Sequence, residues 1–332
     1  MRISIIGAGA VGGTLAALLS RAGHDVTVTA RGDNLHAIRE HGLRLDGGFG
    51  DTVAHVAADR HLSSAPDLAI LATKAQDAEA ALLPQLDHLA GVPLLVVQNG
   101  LGGLVVAARI APGSPLLGGL ALFAASYLEP GHVTITGPNP MIVGAAPGTD
   151  RAVLDRVAAV LREAVPIEVT ADIEGAQWTK LLINHVNALP AITGLSVQEV
   201  VADRGLLRVM TASMRETVRI ARGAGVRFAP VQGVSGRILE LVGRLPLALG
   251  AFFPRLLARR MGAVPNPGST LQSIRRGQLT EIDYLNGAVV ATADRRGVRA
   301  PINAAIVTLV HEVERTTRFL TPAEVVARVA LR

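Results

Sequence analysis

The sequence predicts an α/β fold in two parts, a doubly wound parallel sheet followed by a mostly α-helical second half. Three observations carry this. Apolar strand-like runs alternate with helical stretches through the first half, a glycine-rich turn joins the first run to the first helix, and strand signals fade after Asp172. The domains are therefore expected at residues 1–171 and 172–332.

Ile3, Ser4, Ile5 and Ile6 form a short buried-strand pattern that ends at Gly7-Ala8-Gly9-Ala10-Val11-Gly12, and Gly13 to Leu19 reads as a helix. A G-x-G-x-x-G at a strand end suits a dinucleotide. Gly7 permits the tight turn, Gly9 leaves room for a pyrophosphate, Gly12 lets helix and strand pack closely, and the helix offers free N–H groups. This is the Rossmann-type arrangement. A secretory signal is the competing reading of Met1 to Ser20, but its glycines would spoil an apolar helix and the fold pattern continues at Asp25-Val26-Thr27-Val28. That second strand stops at Arg31-Gly32. An acid there would bind a ribose 2′-hydroxyl, whereas Arg31 suits a 2′-phosphate, so NADP(H) is expected over NAD.

Leu35 to Ala65 reads as helix and then polar, hairpin-like material around Asp46-Gly47-Gly48. Pro66 to Thr73 is a buried strand that delivers Lys74 to its carboxyl end, and after a helix over Ala75 to Leu86 the strand Pro93 to Gln98 delivers Asn99 to the same edge. Leu116 to Ala121, Gly131 to Pro138 and Met141 to Gly144 are β segments, and a helix from Arg151 to Val165 and a strand from Ile167 to Thr170 close the sheet domain. Trp178 begins a helix on which Lys180 and Asn184 share a face. Helical pattern continues from Val197 to Ala224. The apolar stretch Ile238 to Met261 is too interrupted by arginines to span a bilayer and fits a helical hairpin, a lid or a subunit contact better than a membrane-surface element. Gly268-Ser269-Thr270 resembles a helix N-cap, Leu271 to Arg296 reads as one long helix holding Glu281, and a last helical region follows Pro301.

Composition narrows the partners. The chain has 332 residues, no cysteine and a formal charge of +5. Disulfide and thiolate chemistry are absent, which fits a reducing compartment. Aromatic residues are only 3% and the arginines are scattered, so no nucleic acid or membrane is expected as partner. Among 32 Lys plus Arg only Lys74 and Lys180 are lysine. An ammonium, unlike a guanidinium, can be tuned by burial to donate a proton near neutral pH, so these two are candidates for chemistry.

Taken together, the glycine turn, Arg31, Thr73-Lys74, Gln98-Asn99-Gly100, Gly131-His132-Val133 with Gly137-Pro138, Trp178-x-Lys180-x-x-x-Asn184, Ser269-x-x-Gln272 and Thr280-Glu281-Ile282-Asp283-Tyr284-x-Asn286-Gly287 resemble the ketopantoate reductase (2-dehydropantoate 2-reductase) family. The resemblance runs through nearly the whole chain. It implies NADPH-dependent reduction of a 2-oxo acid to a 2-hydroxy acid, most simply ketopantoate to pantoate in pantothenate synthesis. It also implies a cytoplasmic enzyme and allows a homodimer.

By the same resemblance Lys180 is the general acid and Glu281 orients it while touching substrate or cofactor hydroxyls. Ser269 binds the substrate carboxylate, Asn99 lies between nicotinamide and substrate, Lys74 holds the cofactor's ribose or phosphates, and the Ala125 backbone lies near the nicotinamide. Lys180 and Asn184 complete the substrate set. Ser269 as a plain N-cap stays open. Two positions depart from the family pattern: Ala188 stands where a further asparagine is usual, and Ser273 where an acid is usual. They leave room for a relative acting on another branched or larger 2-oxo acid. A non-catalytic NADP-binding sensor is the reading from a different class, and it would have no use for Lys180.

Overall fold

The amino-terminal run forms β1 (Arg2–Ile6), buried from Ile3 to Ile6 as a central strand of a parallel sheet should be. The computed structural model describes residues 1–329, and contacts divide the chain into two units, Met1–Ile173 and Glu174 onward. In the first unit β1 is followed by α1 (Ala10–Arg21), β2 (Asp25–Thr29) and α2 (Gly32–His41). Three short strands follow, β3 (Leu43–Gly47), β4 (Thr52–Ala54) and β5 (Ala57–Asp59). Next come β6 (Leu68–Leu71), α3 (Ala78–Leu82) between 3-10 turns, β7 (Leu94–Val97) and α4 (Gly103–Ile110). The unit ends with β8 (Leu116–Ala121), β9 (Ala124–Glu129), β10 (His132–Gly137), β11 (Met141–Ala145), α5 (Arg151–Arg162) and β12 (Ile167–Val169).

Eight of these strands form one sheet in the order β12-β11-β8-β7-β6-β1-β2-β5. Every neighbouring pair is parallel except β8 with β11. From β1 the chain steps to β2 on one side and later returns to β6 on the other. The order therefore reverses between β1 and β6, which is where doubly wound sheets open a ligand crevice at the carboxyl ends of their strands. The expected hairpin near Asp46 is present as β3 and β4, but it joins β10 and β9 in a second sheet, ordered β4-β3-β10-β9, that packs on α1. Strands β5 and β9 had no counterpart in the sequence reading. The helix expected over Ala75 to Leu86 is α only from Ala78 to Leu82.

The second unit is helical. It comprises α6 (Ile173–Asn184), α7 (Ala188–Thr193), α8 (Val197–Ala202), α9 (Arg204–Gly223), α10 (Gly236–Arg244), α11 (Leu247–Gly250), α12 (Phe252–Arg260), α13 (Gly268–Arg275), α14 (Asn286–Arg295), α15 (Pro301–Thr316) and α16 (Pro322–Arg328). Its axis is α9, capped by Asp203, whose carboxylate accepts from the Leu206 N–H at 2.8 Å. Leu206, Met210, Met214 and Val218 recur every four residues along it and are all buried.

The stretch Ile238 to Met261 becomes α10, α11 and α12. Leu239, Val242, Phe253 and Leu257 from it are buried in the core around α9. At about 1.5–3 kcal/mol for each such side chain, this burial makes the segment part of the core and not a lid. Among the described residues no helix is long and apolar enough to cross a membrane.

The single helix expected over Leu271 to Arg296 is two. Gly277 sits in the left-handed region at φ +64°, its N–H donates to the Ile274 carbonyl and that of Gln278 to the Ser273 carbonyl. This paired closure ends α13. The chain then passes Thr280 and Glu281 into a 3-10 turn before α14.

Candidate active site

In the first unit the expected cofactor residues gather on one sheet edge. Gly7 ends β1, Arg31 follows β2, Lys74 follows β6 and Asn99 follows β7, and these four strands are mutually parallel neighbours. Gly7 adopts φ +102°, and a Cβ there would lie 2.7 Å from Thr73 Cγ2. A Cβ on Gly12 would lie 1.9 Å from the Gly7 carbonyl oxygen, so the turn closes only with glycine at both places. At Gly9 a Cβ would meet nothing within 4 Å, which leaves that face open to a ligand.

Gly9 is also the N-cap of α1, which has neither a capping side chain nor an acid in its first turn. Its first N–H groups are thus left for an anion. An open face over Gly9 and an uncapped helix end fit a pyrophosphate. The Ala8 carbonyl is held by the Asn34 amide at 2.9 Å. Ala10 and Val11 form the first turn of α1, partly exposed. Arg31 is exposed and caps α2, which has no side-chain cap and carries Asp33 in its first turn.

Lys74 and Asn99 are half-buried. Between them Gln98 donates from Nε2 to the Thr73 carbonyl at 3.0 Å and to the Lys74 carbonyl at 3.3 Å, locking the two strand ends together. Ala125 lies on β9, paired with Ile135 in the small sheet, and joins the same core as α1.

In the second unit Lys180 and Asn184 lie one turn apart on α6. Burial is the larger influence on the Lys180 ammonium, and the Glu281 carboxylate facing it opposes that influence in part, leaving its pKa pushed down to about 8. His185, the neighbouring titratable group, is no rival as proton donor. Burial pushes it down to about 4, so its ring is neutral, with Nδ1 2.8 Å from the Leu181 carbonyl oxygen and Nε2 2.8 Å from Thr217 Oγ1.

The loop carrying Glu281 is pinned to α15. Glu314 accepts from the Thr280 N–H at 2.8 Å, and His311 joins Glu314 at 2.7 Å to Asp283 at 2.9 Å. Burial alone would lower the His311 pKa, but these two carboxylates outweigh it and raise the value. Neither His311 nor Glu314 carried a sequence signal, because the link is tertiary. Asn286 of the same motif lies in the core, its amide donating to Asn303 Oδ1 at 2.8 Å.

Ser269 is not an N-cap. It is the second residue of α13, is exposed, and accepts from Asn187 Nδ2 at 3.3 Å. Gly268 makes that approach possible, since a Cβ there would lie 2.6 Å from Asn187 Oδ1. Asn187 stands one step before Ala188, the place that eight-residue spacing from Lys180 picks out, and both are buried. Residues His185–Asn187 form a 3-10 turn. Each of its residues advances about 20° more than in an α-helix, which carries Asn187 to about the bearing of Asn184 and Ala188 away from it.

The sequence matches the family described as ketopantoate reductase PanE/ApbA over residues 3–148 and that family's carboxy-terminal domain over residues 172–314. It is 29% identical to a 2-dehydropantoate 2-reductase of Archaeoglobus fulgidus, covering 94% of this chain and 98% of the relative. The structure is similar to a crystal structure of a PanE/ApbA family ketopantoate reductase from Ralstonia eutropha JMP134, with TM-score 0.81, 31% identity, and coverage of 95% of this chain and 99% of that one. A D-mandelate dehydrogenase solved with NADH and anilino(oxo)acetate, 21% identical over 95% of this chain and 99% of its own, shares the fold at TM-score 0.81. The chain belongs to the ketopantoate reductase family.

Proposed function

We propose that this protein reduces 2-dehydropantoate to pantoate with NADPH, serving pantothenate synthesis. The observation that carries the reading is the ammonium of Lys180, its pKa lowered to about 8 by burial and its charge faced by Glu281. NADPH, when bound, supplies the hydride that reaches the carbonyl carbon. Negative charge then grows on the carbonyl oxygen, and Lys180 donates the proton that quenches it. Glu281 keeps Lys180 protonated and aimed. Ser269 and Asn187 offer a hydroxyl and an amide to the substrate carboxylate, and Asn184 a second amide on the Lys180 face. On the cofactor side the Gly7–Gly12 turn takes the pyrophosphate, Lys74, Asn99 and Ala125 the nicotinamide end, and Arg31 the 2′-phosphate. The amide of Asn187 supplies what Ala188 lacks and supports ketopantoate over the alternative 2-oxo acids. A cytoplasmic location and a homodimer belong to the same proposal, the latter read by sedimentation as twice the chain mass.

The test is NADPH oxidation with 2-dehydropantoate against a panel of branched and aryl 2-oxo acids. The highest kcat/KM is expected with 2-dehydropantoate, and a rate no better than the panel's removes it as the substrate. Arg31→Asp is expected to weaken NADPH binding about ten- to a hundredfold, the range for losing a charge-assisted phosphate contact, while sparing NADH. Equal losses for both nucleotides would reject the 2′-phosphate contact.

A further inference from the structure

Away from Lys180, the second unit holds a cavity of about 550 Å³ between α9, α11, the end of α14 and the start of α15. Arg215 and Arg219 from α9 line it, with Arg296 and Arg299 from the turn before α15. Four guanidinium groups around one space repel one another, and among the described residues none of the four makes an ion pair with a carboxylate. Arg219 and Arg296 reach only the backbone carbonyls of Gly243 and Gly223. Arg215 Nε is buried with no hydrogen-bond partner. Burial, and then the charge of Arg219, lower the Arg215 pKa.

Among the described residues the one acid in the lining is Glu216, and it is already engaged. Its oxygens accept from the N–H groups of Ile302 and Asn303 and from Asn303 Nδ2, at 3.1, 2.8 and 2.6 Å. It neutralises the start of α15 and leaves the arginines uncompensated. A buried donor without an acceptor is costly, so Arg215 is held where an anion entering the cavity can satisfy it, with the exposed Arg219, Arg296 and Arg299 adding positive charge around it. The lining also has apolar members, among them Ile220 and Leu247. The volume is that of a small-molecule site.

We propose that this cavity is a second ligand site, distinct from the reductase centre, for a small organic phosphate whose dianionic group sits among Arg215, Arg219, Arg296 and Arg299 and whose apolar body lies against Ile220 and Leu247. Guanidinium groups match phosphate oxygens in planar pairs, which favours a phosphate head over a lone carboxylate.

Phenyl phosphate, a dianion with an apolar body, is the probe. It is titrated calorimetrically into NADPH-saturated protein, so that the glycine turn and Arg31 are already filled, with ionic strength held by potassium chloride. One saturable event per chain is expected. Arg219 and Arg299 are exposed, so replacing both by glutamine leaves the core intact, and the double variant is expected to bind at least about tenfold more weakly. The single variant Arg299→Gln, at the rim, should show an intermediate loss. Absence of saturation in the wild type overturns the proposal, as does undiminished affinity in a double variant whose melting temperature matches the wild type.

Discussion

Replacing Lys180 by alanine is expected to lower kcat for 2-oxo acid reduction about a thousandfold, within the usual worth of a positioned general acid, while NADPH affinity changes little. Lys180→Arg should fall nearly as far, because a guanidinium keeps the charge but holds its proton. The pH profile separates chemistry from mere positioning. Lys180 must be protonated to donate and has a pKa of about 8, so kcat/KM should be flat below that pH and fall about tenfold per unit above it. The sign for Glu281→Gln follows from the same balance. Glu281 is the influence that raises the Lys180 pKa against burial, so without it the pKa drops and the alkaline fall begins at lower pH. An unmoved alkaline limb in Glu281→Gln would show that this carboxylate does not govern the proton donor. An active Lys180→Ala enzyme would remove the lysine from the reaction.

Legibility in the sequence followed how local each feature is. The β1 turn, Arg31, Lys74 and Asn99 could be placed on one edge because parallel buried strands announce themselves as apolar runs and the chain delivers each residue directly after one. The small sheet was legible only in part, as the hairpin near Asp46 and the β segment from Gly131 to Pro138. Its remaining strand, Ala124–Glu129, has no β-branched residue and no buried one, so neither period nor propensity marks it. The expected helix from Leu271 to Arg296 failed because helix-forming residues continue past Gly277, and only the left-handed turn there shows the stop. Asn187 stands one step off the eight-residue spacing that falls on Ala188, because that spacing assumes a uniform α-helix and a 3-10 turn between the two segments changes the bearing. The four-arginine cavity was invisible among 30 arginines because α9 and the turn before α15 come together only in the fold.

The glycine turn yields the second large effect, and two substitutions of one methyl each should separate architecture from binding. Gly12→Ala puts a Cβ 1.9 Å from the Gly7 carbonyl oxygen, a backbone atom that cannot swing aside as a side chain can. The helix must slide from β1, and overpacking of this kind costs about 1–3 kcal/mol or more. A melting temperature lowered by roughly 5–10 °C is expected for a unit of this size, with NADPH binding lost because the α1 end no longer faces the sheet edge. Gly9→Ala places its Cβ in open space at an ordinary φ of −80°, so the melting temperature should stay within about 2 °C of wild type. The methyl instead occupies the open face proposed for the pyrophosphate, and NADPH affinity should fall about ten- to a hundredfold. Thermal melts beside nucleotide titrations read both quantities. A Gly9→Ala protein that binds NADPH as tightly as wild type would place the pyrophosphate elsewhere. A Gly12→Ala protein of unchanged stability would mean that α1 tolerates a wider gap from β1 than the packing at Gly7 allows.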